Sequence, residues 1–167
     1  MPSSFDVSFD SHTTVEQIHA AFARQDYWLD RIAAFGGAKT LRSLDVAPDG
    51  TVTSTIAEDL REGVMPALFA KVYPGDLNVV STETWRPAGD RRVDGEISVA
   101  ITGAPGSGRG TALLVPTDTG SRLTLSGTVV FKIPLVGGKI EKHVAGQFAE
   151  GLRDIQQFTT TWITENA

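Results

Sequence analysis

Glu83 is the carboxylate whose surroundings point most directly to chemistry. In a strand over 77–86, alternate positions place Val79, Ser81, Glu83 and Trp85 on one face. If the apolar members face a core, Glu83 goes with them. Stripped of water there, its pKa rises, and it can act as a general acid or base or hold a ligand hydroxyl. The competing reading puts Glu83 near a strand end, paired with an arginine or reaching water. A register shift of one residue exchanges the two faces, so which way Glu83 points stays open.

Other groupings carry less. Glu58, Asp59, Arg61 and Glu62 gather where a strand ends and, with Arg42, can form a polar rim. Solvated ion pairs of that kind contribute under about 1 kcal/mol each. The run 103–110 (Gly-Ala-Pro-Gly-Ser-Gly-Arg-Gly) has the glycines of a phosphate loop, but Arg109 replaces the lysine and Gly110 the Ser/Thr. A strand-like rather than helical segment follows, so the run reads as a hairpin. Val136-Gly-Gly-Lys139 precedes a helix, where free N–H groups can hold an anion; the same glycines also serve a sharp strand-to-helix turn. His12, His19 and His143 have no metal-ligand spacing, and there is no cysteine. Thiol chemistry, disulfides and cysteine-bound metals are thereby excluded, and no metal or other cofactor is implied. No G-x-S-x-G elbow for a serine nucleophile occurs.

The elements that must position these residues follow from periodicity. Phe5, Val7 and Phe9 alternate in an opening strand; Thr13 and Glu16 fit a capping box; Val15, Ile18, Ala21 and Phe22 mark a short helix. A second helix over 26–35 carries Trp28, Leu29, Ile32 and Phe35 on one side and stops at Gly36-Gly37. From 38 to about 133 the period is two, with turns at Pro48-Asp-Gly50, Pro87-Ala-Gly-Asp90 and Thr117-Asp-Thr-Gly120. Residues 63–76 interrupt the strands as an irregular connection whose Gly63, Pro66, Pro74 and Gly75 suit a lid. Beyond Pro134, Ile140, Val144, Phe148, Leu152, Ile155, Thr159 and Trp162 recur at helical spacing in one long amphipathic helix. Hairpin-type connections argue for an antiparallel sheet, bent around that helix, with the first strand pairing a late one.

The chain has 167 residues, 41% apolar and 21% charged, which fits one globular domain spanning 1–167. Its net charge of −5 argues against nucleic acid and anionic lipid surfaces as partners. No window approaches the roughly 18 apolar residues of a spanning helix, and no signal peptide is visible. Stable membrane insertion is therefore not expected, and a cytoplasmic location is.

In its element order the chain resembles the START-like (SRPBCC) superfamily, the helix-grip fold of the birch-pollen allergens. The resemblance runs over essentially the whole chain. It is carried by the 5–9 strand, the 15–35 helix pair and the segment 129–138 (Val-Val-Phe-Lys-Ile-Pro-Leu-Val-Gly-Gly) that leads into the long helix; more narrowly it suggests a bacterial branch in which Thr84-Trp85 and 134–141 are familiar. The superfamily has no universal catalytic motif, so no residue role transfers by position. The resemblance implies an α+β fold, with a curved antiparallel sheet of about seven strands wrapped on the C-terminal helix and two short helices after the first strand. It also implies a cavity between sheet and helix for a hydrophobic small molecule, lipid, sterol or polyketide-like. Gly95, Gly127, Gly146 and Gly151 fall where side chains would otherwise fill that space, or where backbones would otherwise be kept apart.

The expected ligand-binding residues are Val79, Glu83, Trp85, Ile97, Val99, Leu125, Val129, Phe131, Val144, Phe148 and Leu152. Two alternatives accompany this expectation: a polyketide cyclase- or dehydratase-like enzyme using Glu83 as acid–base, and a module that binds a protein partner of unspecified kind.

Overall fold

The period-two segments pair in chain order, each with its predecessor, and the first strand closes on the last. In the computed structural model, which describes residues 2–36, 38–59, 75–135 and 137–167, the strands are β1 (Ser3–Ser11), β2 (Ala38–Val46), β3 (Val52–Asp59), β4 (Asn78–Pro87), β5 (Val93–Thr102), β6 (Gly106–Thr117) and β7 (Gly120–Phe131). They form one antiparallel sheet in the order β1-β7-β6-β5-β4-β3-β2. The expected pairing of the first strand with a late one is β1 on β7. Two short helices, α1 (Val15–Phe22) and α2 (Gln25–Phe35), follow β1, and the long helix α3 (Gly137–Glu165) packs across β1 and β7. This is the helix-grip architecture. Among the described residues no helix is long and apolar enough to cross a membrane.

Local chemistry sets the boundaries. The α1 cap is Thr14 rather than Thr13: its hydroxyl accepts from Gln17 N while the Gln17 side chain accepts from Thr14 N. Thr13 is instead buried, its carbonyl accepting from the Ser121 hydroxyl at 2.7 Å. Gly36, at φ 64, ends α2 in a conformation that disfavours any side chain. α2 is also rotated from the expected face. Tyr27 and Trp28 are fully buried, whereas Leu29 and Phe35 are 48% and 40% exposed. The cause is ring packing: Tyr27 and Trp28 meet edge-on at 5.3 Å, and both lie against Phe22. Most of the 63–76 connection, with Arg61 and Glu62, lies outside the described residues.

Among the described residues the buried side chains form two hydrophobic clusters. One gathers α1, α2 and the end of the sheet at Val52, Trp85, Val93 and Leu114. The other lies at the opposite end, around Leu77, Val129, Phe131 and Ala145. The stretch of concave face between them decides what the protein can do.

Candidate functional site

Register places the residues of the concave face in rows across the sheet. One row runs Ser54, Glu83, Ile97, Gly110, Gly127, Phe5; the next runs Ile56, Ser81, Val99, Gly108, Val129, Ser3. Glu83 therefore points inward with Trp85, and it is also paired with an arginine, so each of the two sequence readings was half right. Arg31 of α2 donates from Nη2 to Glu83 Oε2 at 2.8 Å, and Trp85 Nε1 donates to Oε1 at 3.2 Å. The side chains of this pair are only 13% and 11% exposed. Sequence reasoning did not single out Arg31, because the face α2 presents is fixed by distant rings rather than by its own pattern.

The groups around this pair close on one another. The Arg31 guanidinium lies 4.8 Å over the Trp28 ring. Burial pulls its pKa down, but the Glu83 carboxylate and Tyr27 outweigh that and hold it above its ordinary value. Burial also pushes the Tyr27 hydroxyl up. Thr159 donates its hydroxyl proton to Ile155 O at 2.8 Å, so at 2.7 Å it accepts from the Tyr27 hydroxyl. Trp162 Nε1 donates to Asp30 at 2.8 Å. The cluster is a tied-off ionic and hydrogen-bonded end wall. Both oxygens of Glu83 are engaged, so proton transfer by this residue would first require Arg31 or Trp85 to let go.

The other expected site residues divide between the two clusters. Trp85 and Leu125 are buried in the first, with Ile97 and Leu152 half-buried against it. Val129 and Phe131 are buried in the second, with Val144 and Phe148 half-buried against them. Val79 and Val99 are half-buried inward residues that belong to neither cluster. Along β5, the central strand, inward positions pass from buried Val93 and Gly95 to half-buried Ile97, Val99 and Ile101.

The glycines read from the sequence as gaps behave differently. A Cβ on Gly95 would stand 2.6 Å from the Trp85 ring, and one on Gly127 2.6 Å from the Phe5 ring, so both let aromatic rings lie on the sheet. Gly146 faces solvent and adds no interior space. Open floor lies instead at Gly108 and Gly110, in the run read as a hairpin. Among the described residues other than its chain neighbours, the atom nearest a Cβ on Gly108 would be 3.6 Å away, and the atoms near both glycines belong to adjacent strands of the sheet. The available signal was Gly106, Gly108, Gly110, Ala112 and Leu114 alternating along β6.

Two surface clefts lie away from this floor. One sits at the β7–α3 turn, beside Phe131, Leu135 and the buried Glu141. The other runs between β1 and α3, at Asp10, His12, Gln156 and Thr160. Among the described residues, no three His, Asp or Glu gather as a metal site.

Known proteins share this architecture and much of this sequence. A Staphylococcus aureus protein of unknown function superposes with a TM-score of 0.62 at 10% identity, covering 99% of this chain and 96% of that one. The allergen Ara h 8.0201 does so at 0.57 and 13%, covering 99% of each. Likeness at such identities concerns the fold, and it is the helix-grip fold of the birch-pollen type. In sequence, an uncharacterised protein of Mycobacterium tuberculosis is 38% identical over 173 residues, 99% of each chain, and so is one of Mycobacterium bovis. Residues 6–163, which take in most of β1, all of β2 to β7 and nearly all of α3, match one family model, and the chain belongs to that family, described as Protein of unknown function (DUF2505).

Proposed function

We propose that this protein binds an apolar small molecule between the concave face of the sheet and α3. One observation carries the reading: Ile97, Val99 and Ile101, inward residues of the central strand, are only half-buried. A sheet face packed to ordinary protein density beneath a helix is most deeply covered at its centre. Here burial is complete at the Val93 end and only partial from Ile97 through Ile101. Val79, Val99 and Val129 offer apolar walls from the sheet, and Phe148 and Leu152 face them from α3. The tied-off Arg31–Glu83 pair forms one end of the space. Binding is preferred to a cyclase-like reaction at Glu83 because both carboxylate oxygens already have partners. The birch-pollen type of fold supports the same reading by analogy.

Native mass spectrometry of the purified chain, before and after organic extraction, tests this. The expected result is a bound mass that extraction removes. Flight at the bare chain mass, together with unchanged fluorescence of added 8-anilinonaphthalene-1-sulfonate, would overturn the reading.

A further inference from the structure

The two edges of the sheet are finished differently. β2, at one edge, shifts register between Leu41 and Ser43 and carries Lys39, Arg42 and Asp45. Bulges and charges of this kind keep another strand from pairing there. β1, at the other edge, holds nine residues in unbroken register with β7 and contains no proline, glycine, lysine or arginine. Its two charges are tied to β7: Asp6 accepts from the Ser126 hydroxyl, and Asp10 accepts from Arg122 Nε and Nη2 at 2.7 and 3.2 Å. No described strand pairs with the outer edge of β1. A long, flat edge of this kind is open to a further strand.

We infer that its occupant is a second copy of this chain, with the two β1 strands paired antiparallel about a two-fold axis at Val7. The β1 sequence, Ser-Ser-Phe-Asp-Val-Ser-Phe-Asp-Ser, is its own complement in that register. Val7 meets Val7, Phe5 meets Phe9, and each aspartate meets a serine, Asp6 with Ser8 and Asp10 with Ser4. The aromatic residues gain cross-strand aromatic partners, and no like charges stand opposite each other. Sliding the pair by two residues is the smallest change that keeps the two faces of the sheet. In one direction it sets Asp6 against Asp10, in the other Asp6 against Asp6. A foreign peptide would make no such demand on the strand, whereas a closed dimer requires a surface that is its own complement.

A second observation lies beside this edge. The cleft between β1 and α3 runs along residues 8–12 of the chain. Gln156 lines it, is 6% exposed, and its side-chain nitrogen has no hydrogen-bond partner among the described residues. A buried amide without a partner is costly. In the register centred on Val7, residues 3–6 of the second copy run opposite residues 8–11, so the added strand covers this cleft and brings polar backbone to it.

Sedimentation velocity over a concentration series reaching about 0.1 mM tests the inference. A dimer is expected, with amide hydrogen exchange in β1 slowing as concentration rises. Ser8→Asp sets an aspartate against Asp6 at two symmetry-related places and should weaken the dimer at least tenfold. Ser8→Lys sets a cation there and should leave the dimer as tight or tighten it. Residue 8 is exposed, and thermal unfolding checks that both variants remain folded. If Ser8→Asp does not fold, Ser4→Asp, which meets Asp10, replaces it with the same expected loss. Wild type that stays monomeric throughout the series would overturn the inference. So would a dimer that the aspartate and lysine variants affect alike, or one whose β1 amides exchange equally fast at every concentration. None of these results bears on the ligand binding proposed above, which is tested separately.

Discussion

The Glu83 end of the concave face and its glycine floor are built on opposite plans. At the Glu83 end the side chains of Glu83, Tyr27 and Trp162 have partners within the chain: Arg31 and Trp85 on the carboxylate, Thr159 on Tyr27, Asp30 on Trp162. On the floor, the described atoms nearest Gly108 and Gly110 belong to their own sheet. The difference teaches that residue type alone does not reveal a binding surface. Glu83 has the chemistry of a site and is consumed by structure, whereas two glycines have no chemistry and leave room for a guest.

The sharpest way to break this contrast is to remove Arg31. Arg31→Met would leave the Glu83 charge buried without its cation, at a cost of about 3–5 kcal/mol. Urea denaturation should show that loss as a lower midpoint at unchanged slope. A loss under about 1 kcal/mol would mean that water reaches Glu83 and that this end is as open as the floor.

Glycine substitutions sharpen the contrast at smaller amplitude. Gly95→Ala and Gly127→Ala drive a methyl into the Trp85 and Phe5 rings, and at Gly127 also to 2.8 Å from Arg109 O. Overpacking of this kind costs about 1–3 kcal/mol. Gly108→Ala meets no such obstacle, and by reducing the freedom of the unfolded chain it should stabilise by about 0.4–1 kcal/mol. Opposite signs in thermal melts of the ligand-free protein would support an uncovered floor. Equal destabilisation at Gly95, Gly127 and Gly108 would show that Gly108 is packed like the others.

How much of this was legible depends on how local each cause is. The strand order, the hairpins and α3 follow from periodicity within single segments, and the structure has them where periodicity put them. The face of α2 was misjudged because Tyr27 is drawn inward by Phe22, Trp28, Phe158 and Trp162, residues from three helices. The inward direction of Glu83 was one of two open readings, since register decides it and register is a property of strand pairs. Gly95 and Gly127 were rightly placed on the apolar face, but their aromatic cover comes from a residue ten positions upstream in one case and from the far end of the chain in the other. Gly108 and Gly110 were missed as floor because a glycine-rich run resembles a turn until its pairing with β5 and β7 is known.

Tyr27 offers a subtler test of the closed end. Tyr27→Phe removes the hydroxyl that donates to Thr159, and a neutral hydrogen bond of this kind contributes about 1 kcal/mol. The variant also changes the pH profile. Burial raises the Tyr27 pKa above its ordinary value of 10.0. Above that value the unfolded chain releases the phenol proton while the folded chain keeps it. Stability contributed by this group is therefore complete below about pH 10 and declines as pH climbs from there through the raised folded value. Tyr27→Phe should lack that part of the alkaline decline. If the two profiles run parallel above pH 10, the hydroxyl is solvated and the end wall is not closed.

The smallest effect is expected at an ion pair of the same chemistry without the burial. Arg91, on the β4–β5 turn, donates from Nε and Nη2 to the two oxygens of Glu16 on α1, at 2.6 and 3.1 Å. Its geometry is bidentate and closer than that of Arg31–Glu83, and the Arg91 hydrogen bond lowers the Glu16 pKa from 4.5 to about 2. Converted directly, that shift would suggest several kcal/mol, but the side chains are 62% and 54% exposed, so water and salt screen the attraction. Arg91→Ala should therefore leave stability at neutral pH close to that of wild type. Because the folded value is the lower one, this contribution is present above about pH 4.5 and disappears as pH falls through about 2. Denaturation of Arg91→Ala in low and high salt checks it: the small difference from wild type should shrink as salt rises. A loss comparable to that of Arg31→Met would show that ion pairing rather than burial makes the closed end rigid, and the distinction between the two regions would then have to be drawn from charge instead of from cover.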